Sequence, residues 1–102
     1  MAQILVLYPN PPDIGAFEQH YFNVHAPLAL KIPGLRRLEV SMGSINSPQG
    51  PSPWHLVAQL NFDSVAAIHD ALGSEESRKA SADLANFAPE GRRSFVFDTV
   101  TL

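Results

Sequence analysis

The chain has 102 residues, of which 45% are hydrophobic, and 7 basic against 10 acidic side chains give a net charge of -3. A chain of this size is one domain, residues 1–102, with no room for a second core. It buries roughly 60–70% of its unfolded surface, so dimerisation is a natural supplement. No basic run exceeds a pair, as in Arg36-Arg37 and Arg92-Arg93, which argues against a nucleic-acid partner. The absence of cysteine excludes disulfides, thiolate catalysis and thiolate metal sites. The amino terminus runs into a strand-like segment without a charged leader. No apolar stretch approaches the roughly 20 residues that span a bilayer, so a soluble cytoplasmic protein with no membrane partner is expected.

Ile4-Leu5-Val6-Leu7-Tyr8 is a continuous apolar run ended by Pro9-Asn10-Pro11-Pro12. Its length and β-branched content suit a strand buried on both faces, hence a central one. Asp13 can cap a helix whose apolar stripe is Ile14, Phe17, Tyr21, Val24, Leu28 and Ile32, stopped by Pro33-Gly34. Leu35 to Met42 alternates, with Leu38, Val40 and Met42 on one side and Arg37, Glu39 and Ser41 on the other, as in a half-covered strand. Gly43 to Pro53 is rich in Gly, Pro, Ser and Asn and reads as a long loop. His55 to Phe62 alternates again. Asp63 caps a second helix through Leu72, Ser74 caps a third through about Phe87, and Phe95 to Val100 is the last strand. There is no internal repeat or low-complexity segment.

This order predicts an α+β fold, the ferredoxin-like split βαβ, with a four-stranded antiparallel sheet and helices on one face. The open face would carry Arg37, Glu39, Gln59 and Asn61 beside Val57. That set is too mixed for a dry core and too organised for solvent alone, so a homodimer packed through the open sheet face is expected.

The segment from Tyr21 to Leu28 carries the chemistry. Pro27 removes a hydrogen bond to the Asn23 carbonyl and crowds that carbonyl, so the helix should kink or break there. At about 100° per residue, His25 projects about 60° from the centre of the apolar stripe, half facing the sheet. Its imidazole can act as acid or base near neutral pH; the competing reading is that the ring satisfies a carbonyl freed by Pro27. Tyr21, one turn earlier, could orient a substrate or His25, or belong to the core with its hydroxyl reaching water. Tyr8 and Asn10 end a central strand and could reach the same region, although Asn10 between prolines also suits a turn. Trp54, Phe62, Phe87, Phe95 and Phe97 could line an apolar cavity, with ordinary core packing as the competing reading.

A metal site is not expected. His20 and His25 lie about 140° apart on an α-helix, and His55 and His69 have no spaced partners. No glycine-rich phosphate loop, nucleophile elbow or paired-carboxylate motif occurs.

Val6-Leu7-Tyr8-Pro9-Asn10, Tyr21 with His25-Ala26-Pro27-Leu28, and Pro33-Gly34-Leu35 together resemble the EthD family, named for a protein linked to ethyl tert-butyl ether degradation. Ser74-Glu75-Glu76 through Asp83 to Asn86-Phe87 looks like that family's extra helix. The resemblance spans nearly the whole chain. It implies a dimeric α+β barrel, in a superfamily with cofactor-free enzymes acting on lactones, polyketides and aromatic acids, and members without known reaction.

Three functions are compatible with these features. One is a cofactor-free isomerase or lyase for a small hydrophobic cyclic or aromatic carbonyl compound. There His25 moves a proton and Tyr21 donates to the oxyanion, in an isomerisation, decarboxylation or dehydration. The second is a non-catalytic accessory protein that binds a hydrophobic metabolite in a degradation or biosynthesis pathway. The third is a haem-binding barrel.

Overall fold

In the computed structural model, which describes residues 1–102, the chain runs β1 (Ala2–Pro9), α1 (Ile14–His20), a π turn (Tyr21–His25) and α2 (Ala26–Ala29). It continues through β2 (Arg37–Val40), a small hairpin of β3 (Asn46–Ser47) and β4 (Gly50–Pro51), and β5 (Trp54–Phe62). α3 (Val65–Leu72), α4 (Glu75–Phe87) and β6 (Arg93–Asp98) complete it. The four long strands form one sheet in the order β2-β5-β1-β6, every pair antiparallel. This is the ferredoxin-like α+β arrangement that the element order predicts. No helix is long and apolar enough to cross a membrane.

One face of the sheet is covered. Ile4 and Tyr8 of β1 and Leu56, Ala58, Leu60 and Phe62 of β5 are buried with Phe17, Tyr21 and Ala29 of the first helical segment and Ile68, Ala71 and Ala80 of α3 and α4. The other face has no helix. Directly opposite residues of an antiparallel pair share a face, so the register sets Leu5 between Gln59 and Phe95, and Leu7 between Val57 and Arg93. Phe95 is 50% exposed and Phe97 37%. Central β1, expected to be buried on both faces, is therefore covered on one, and the open face is more apolar than Arg37, Glu39, Gln59 and Asn61 alone suggest.

Several boundaries move. The loop after β2 contains the β3–β4 hairpin, and β6 occupies Arg93–Asp98 rather than Phe95 to Val100. Asp13 and Ser74 cap their helices as expected, accepting from Ala16 and Ser77 N–H groups at 3.0 and 3.1 Å. The cap of α3 is Ser64, one residue later than expected, whose hydroxyl accepts from Ala67 N–H at 3.0 Å; the Asp63 carboxylate is bound by the Arg36 guanidinium.

The larger difference lies in the first helix. Pro27 does not break it. The chain widens into a π turn, in which the Ala26 N–H reaches the Tyr21 carbonyl five residues back. Widening absorbs the missing proline donor without leaving the helical path, and such turns are common at functional sites. One inserted residue rotates everything downstream. Val24, expected in the apolar stripe, is 41% exposed, while His25, expected on its flank, is 7% exposed. The buried line is Phe17, Tyr21, His25, Ala29 and Ile32.

Candidate functional site

The π turn also brings His20 and His25 together, because residues five apart approach alignment when hydrogen bonds span five positions. The expected divergence of about 140° holds only for an uninterrupted α-helix. Both imidazoles converge on Asp83 of α4. His20 Nε2 lies 2.9 and 3.0 Å from the two carboxylate oxygens, and His25 Nδ1 lies 3.1 Å from Oδ2. Asn86 Nδ2, one turn along α4, donates to Oδ1 at 3.0 Å. The His25 ring thus satisfies a side-chain carboxylate, not a backbone carbonyl freed by Pro27. No group of three or more His, Cys, Asp or Glu is arranged to hold a metal ion.

These bonds fix the charge states. Burial alone would raise the Asp83 pKa, but hydrogen bonds from Asn86, His20 and His25 together outweigh it and hold the carboxyl below the usual range. An ionised carboxylate only accepts, so His25 Nδ1 carries the hydrogen and Nε2 keeps its lone pair. Burial pushes the His25 pKa below 6.5, with Asp83 opposing the shift. His25 is therefore neutral at pH 7, with its basic nitrogen turned away from α4.

His25 lines a cavity of about 260 Å³ between the sheet and the helices. Its walls are mainly apolar, with Ile4, Val6, Ala29, Leu60 and Leu84 among them, and its polar groups are Tyr8, Tyr21, His25, Arg92 and three serines. Asn61 Nδ2 is the sole buried side-chain polar atom without a partner, so the hydroxyls of Tyr8 and Tyr21 and the His25 Nε2 atom open on this space. Burial pushes the Tyr21 phenol up to about 12 and the Tyr8 phenol higher still, so both remain hydrogen-bond donors. Phe87 packs 4.8 Å from the His20 ring and 4.9 Å from the His25 ring, and Tyr8 and Tyr21 meet edge to face at 5.7 Å.

The residues singled out from sequence divide by location. His25, Tyr21 and Tyr8 share the cavity, and Phe87 backs it. Asn10 and Trp54 line a separate cleft of about 750 Å³ under the β2–β5 connection, with Glu18, Phe22 and His55. Phe62 is fully buried opposite Ala2, six residues along β1 from Tyr8. Phe97 projects from the open face of the sheet. Sequence reasoning missed Asp83, His20, Asn86 and Arg92. One signal for Asp83 was present: it falls on the buried stripe of α4 with Ser77 and Ala80, where an acidic residue requires a partner.

The chain is thus a ferredoxin-like α+β domain with a buried Asp–His pair beside an apolar cavity. The EthD domain matches residues 13–91, and the chain belongs to the EthD family. An uncharacterised 11.0 kDa protein from the thcB-thcC intergenic region of Rhodococcus erythropolis is 36% identical over 103 residues, covering 100% of this chain and 98% of that protein. A solved EthD family protein from Bacillus halodurans C-125 is 33% identical, with a TM-score of 0.89 over 98% of this chain and 99% of that one. A dimeric protein of unknown function from Bacteroides fragilis has the same ferredoxin-like fold at 19% identity, with a TM-score of 0.65 over 96% and 95% of the two chains.

Replacing Asp83 with alanine leaves the His20, His25 and Asn86 donors without their acceptor. The expected loss is about 3 kcal/mol in urea unfolding at pH 7.5 and fixed protein concentration. A loss under about 1 kcal/mol would show that the carboxylate does not hold α4 to the first helix.

Proposed function

We propose that the protein binds a small hydrophobic carbonyl compound, cyclic or aromatic, in the His25 cavity and moves a proton beside the carbonyl without a cofactor. The observation that carries this reading is a neutral imidazole whose Nδ1–H is held by an ionised carboxylate while Nε2 faces an apolar cavity. His25 Nε2 takes a proton from the carbon next to the carbonyl, and the electron pair moves onto oxygen as an enolate. Tyr21, joined by Tyr8, donates hydrogen bonds to that oxygen. Where a β,γ-double bond makes the enolate a dienolate, return of the proton to its γ-carbon gives isomerisation, and delivery of the proton to a departing β-hydroxyl gives dehydration. Decarboxylation of a β-oxo acid reaches the same enolate by loss of carbon dioxide; the proton the carbon then needs comes from water, passed through His25 Nε2, and the hydroxide left is taken up by the carbon dioxide. A volume near 260 Å³ suits about one ring, below the range typical of drug-sized ligands and too small for a porphyrin.

A second reading, metabolite binding without chemistry by an accessory protein, is favoured by one observation. Asp83 ties α4 to the first helix through the same imidazoles, so the network has a structural reason to exist without a reaction. Incubation with cyclic ketones and enones in deuterium oxide separates the two. The catalytic reading expects accelerated exchange beside the carbonyl, slowed about 100-fold or more by His25→Gln. The rate should fall on acidification with a midpoint below 6.5, because protonation removes the base. Binding with no exchange, or exchange indifferent to His25→Gln, would leave the accessory role.

We further propose a homodimer formed through the open sheet face, where Leu5, Leu7, Phe95 and Phe97 are uncovered. The Bacteroides fragilis protein, described as dimeric, supports dimerisation without specifying the face. Light scattering at micromolar concentration should give twice the chain mass of 11.1 kDa, and Phe95→Asp should give the chain mass. A monomeric wild type would defeat the proposal.

A further inference from the structure

Arg92 stands out among the residues around the cavity. It lines both the His25 cavity and the shallow groove that adjoins it, with Ser81 and Leu84 shared between the two. Gly91, at φ 92°, makes the turn from α4 to β6 that brings Arg92 there; a Cβ at that backbone angle would be strained. Arg92 is the only Lys or Arg among the residues lining the cavity, and, like most Lys and Arg side chains of the chain, it has no carboxylate within 4.0 Å; of these only Arg36 and Arg37 are paired, with Asp63 and Glu39. Glu90 lines the adjoining groove without closing an ion pair. The Arg92 charge is close enough to act on the interior, since it favours the deprotonated forms of both Tyr8 and His25. An exposed cation at the rim of an otherwise uncharged apolar wall has a use if the ligand carries the anion.

We propose that Arg92 makes the His25 cavity selective for carbonyl compounds bearing a carboxylate. The guanidinium binds the carboxylate at the rim, and the apolar body with its carbonyl extends inward to Tyr8, Tyr21 and His25. The proposal rests on the reading of the cavity given above and narrows its substrate class to small oxo acids. It also divides the three reactions. An ion pair holds negative charge on the carboxylate, so it stabilises the bound acid more than a transition state in which that charge drains away. Loss of carbon dioxide from the group that Arg92 holds is therefore opposed. Proton transfer beside a separate carbonyl, as in isomerisation or dehydration, is not.

The test uses matched monocyclic pairs at constant ionic strength: 4-oxocyclohexanecarboxylate and benzoate, each beside its methyl ester, titrated by backbone amide NMR. Wild type should bind each carboxylate roughly tenfold tighter than its ester, with shifts around Tyr8, Tyr21 and Ser81. Arg92→Gln should bring the acids down to the esters and leave the esters unchanged, which also checks that the variant is folded. Arg92→Lys should restore part of the preference. Acids and esters bound alike by wild type, or a preference that survives Arg92→Gln, would overturn the Arg92 proposal and leave the cavity reading standing. Absence of binding by all four compounds would overturn both.

Discussion

A carboxylate at 5% exposure is costly unless every lone pair that matters finds a donor, and Asp83 meets that condition with three side chains from two helical segments. The geometry of the cavity depends on this arrangement. The bonds hold α4 against the first helix, set the His25 tautomer and keep the carboxyl ionised despite its burial. The same contacts that stabilise the packing therefore also fix the His25 tautomer on which the proposed proton transfer depends. This dual use explains why an acidic side chain occupies a helix face otherwise composed of Ser77, Ala80 and Leu84.

The π turn supplies the other half of the geometry. Without it, an α-helical path would send His20 and His25 in different directions and leave Val24 in the buried stripe. With it, a single inserted residue brings both rings to one carboxylate, and Pro27 continues the helix from a position where it lacks nothing. Below, the sheet supports the cavity through Ile4, Val6 and Tyr8 of β1, while alternate residues Leu5 and Leu7 face the opposite, uncovered side. One central strand thus serves two surfaces of different character.

Much of this was legible in the sequence because periodicity and caps are local. The alternation from His55 to Phe62, the caps at Asp13 and Ser74 and the apolar run of β1 all depend on neighbours a few residues away. His25, Tyr21 and Tyr8 were legible for the same reason, since they sit on elements whose order was clear. What escaped depends on contacts between distant segments or on a departure from regular helix geometry. Asp83 lies 58 residues from His25, and nothing local states that they meet. Pro27 signalled a disturbance, yet a kink, a break and a widened turn each accommodate it, and they place Val24 and His25 differently. Trp54 and Phe97 read as cavity aromatics by type alone. The face on which each projects was set by strand register and by the loop after β2.

The most direct test of the account is the tautomer of His25 in the wild-type protein at pH 7.5, read from the imidazole nitrogen shifts in long-range proton–nitrogen NMR. The structure requires a neutral ring with hydrogen on Nδ1 and an unprotonated Nε2, because the ionised Asp83 carboxylate can only accept. Hydrogen on Nε2, or a doubly protonated ring at that pH, would remove the base from the cavity and contradict the account.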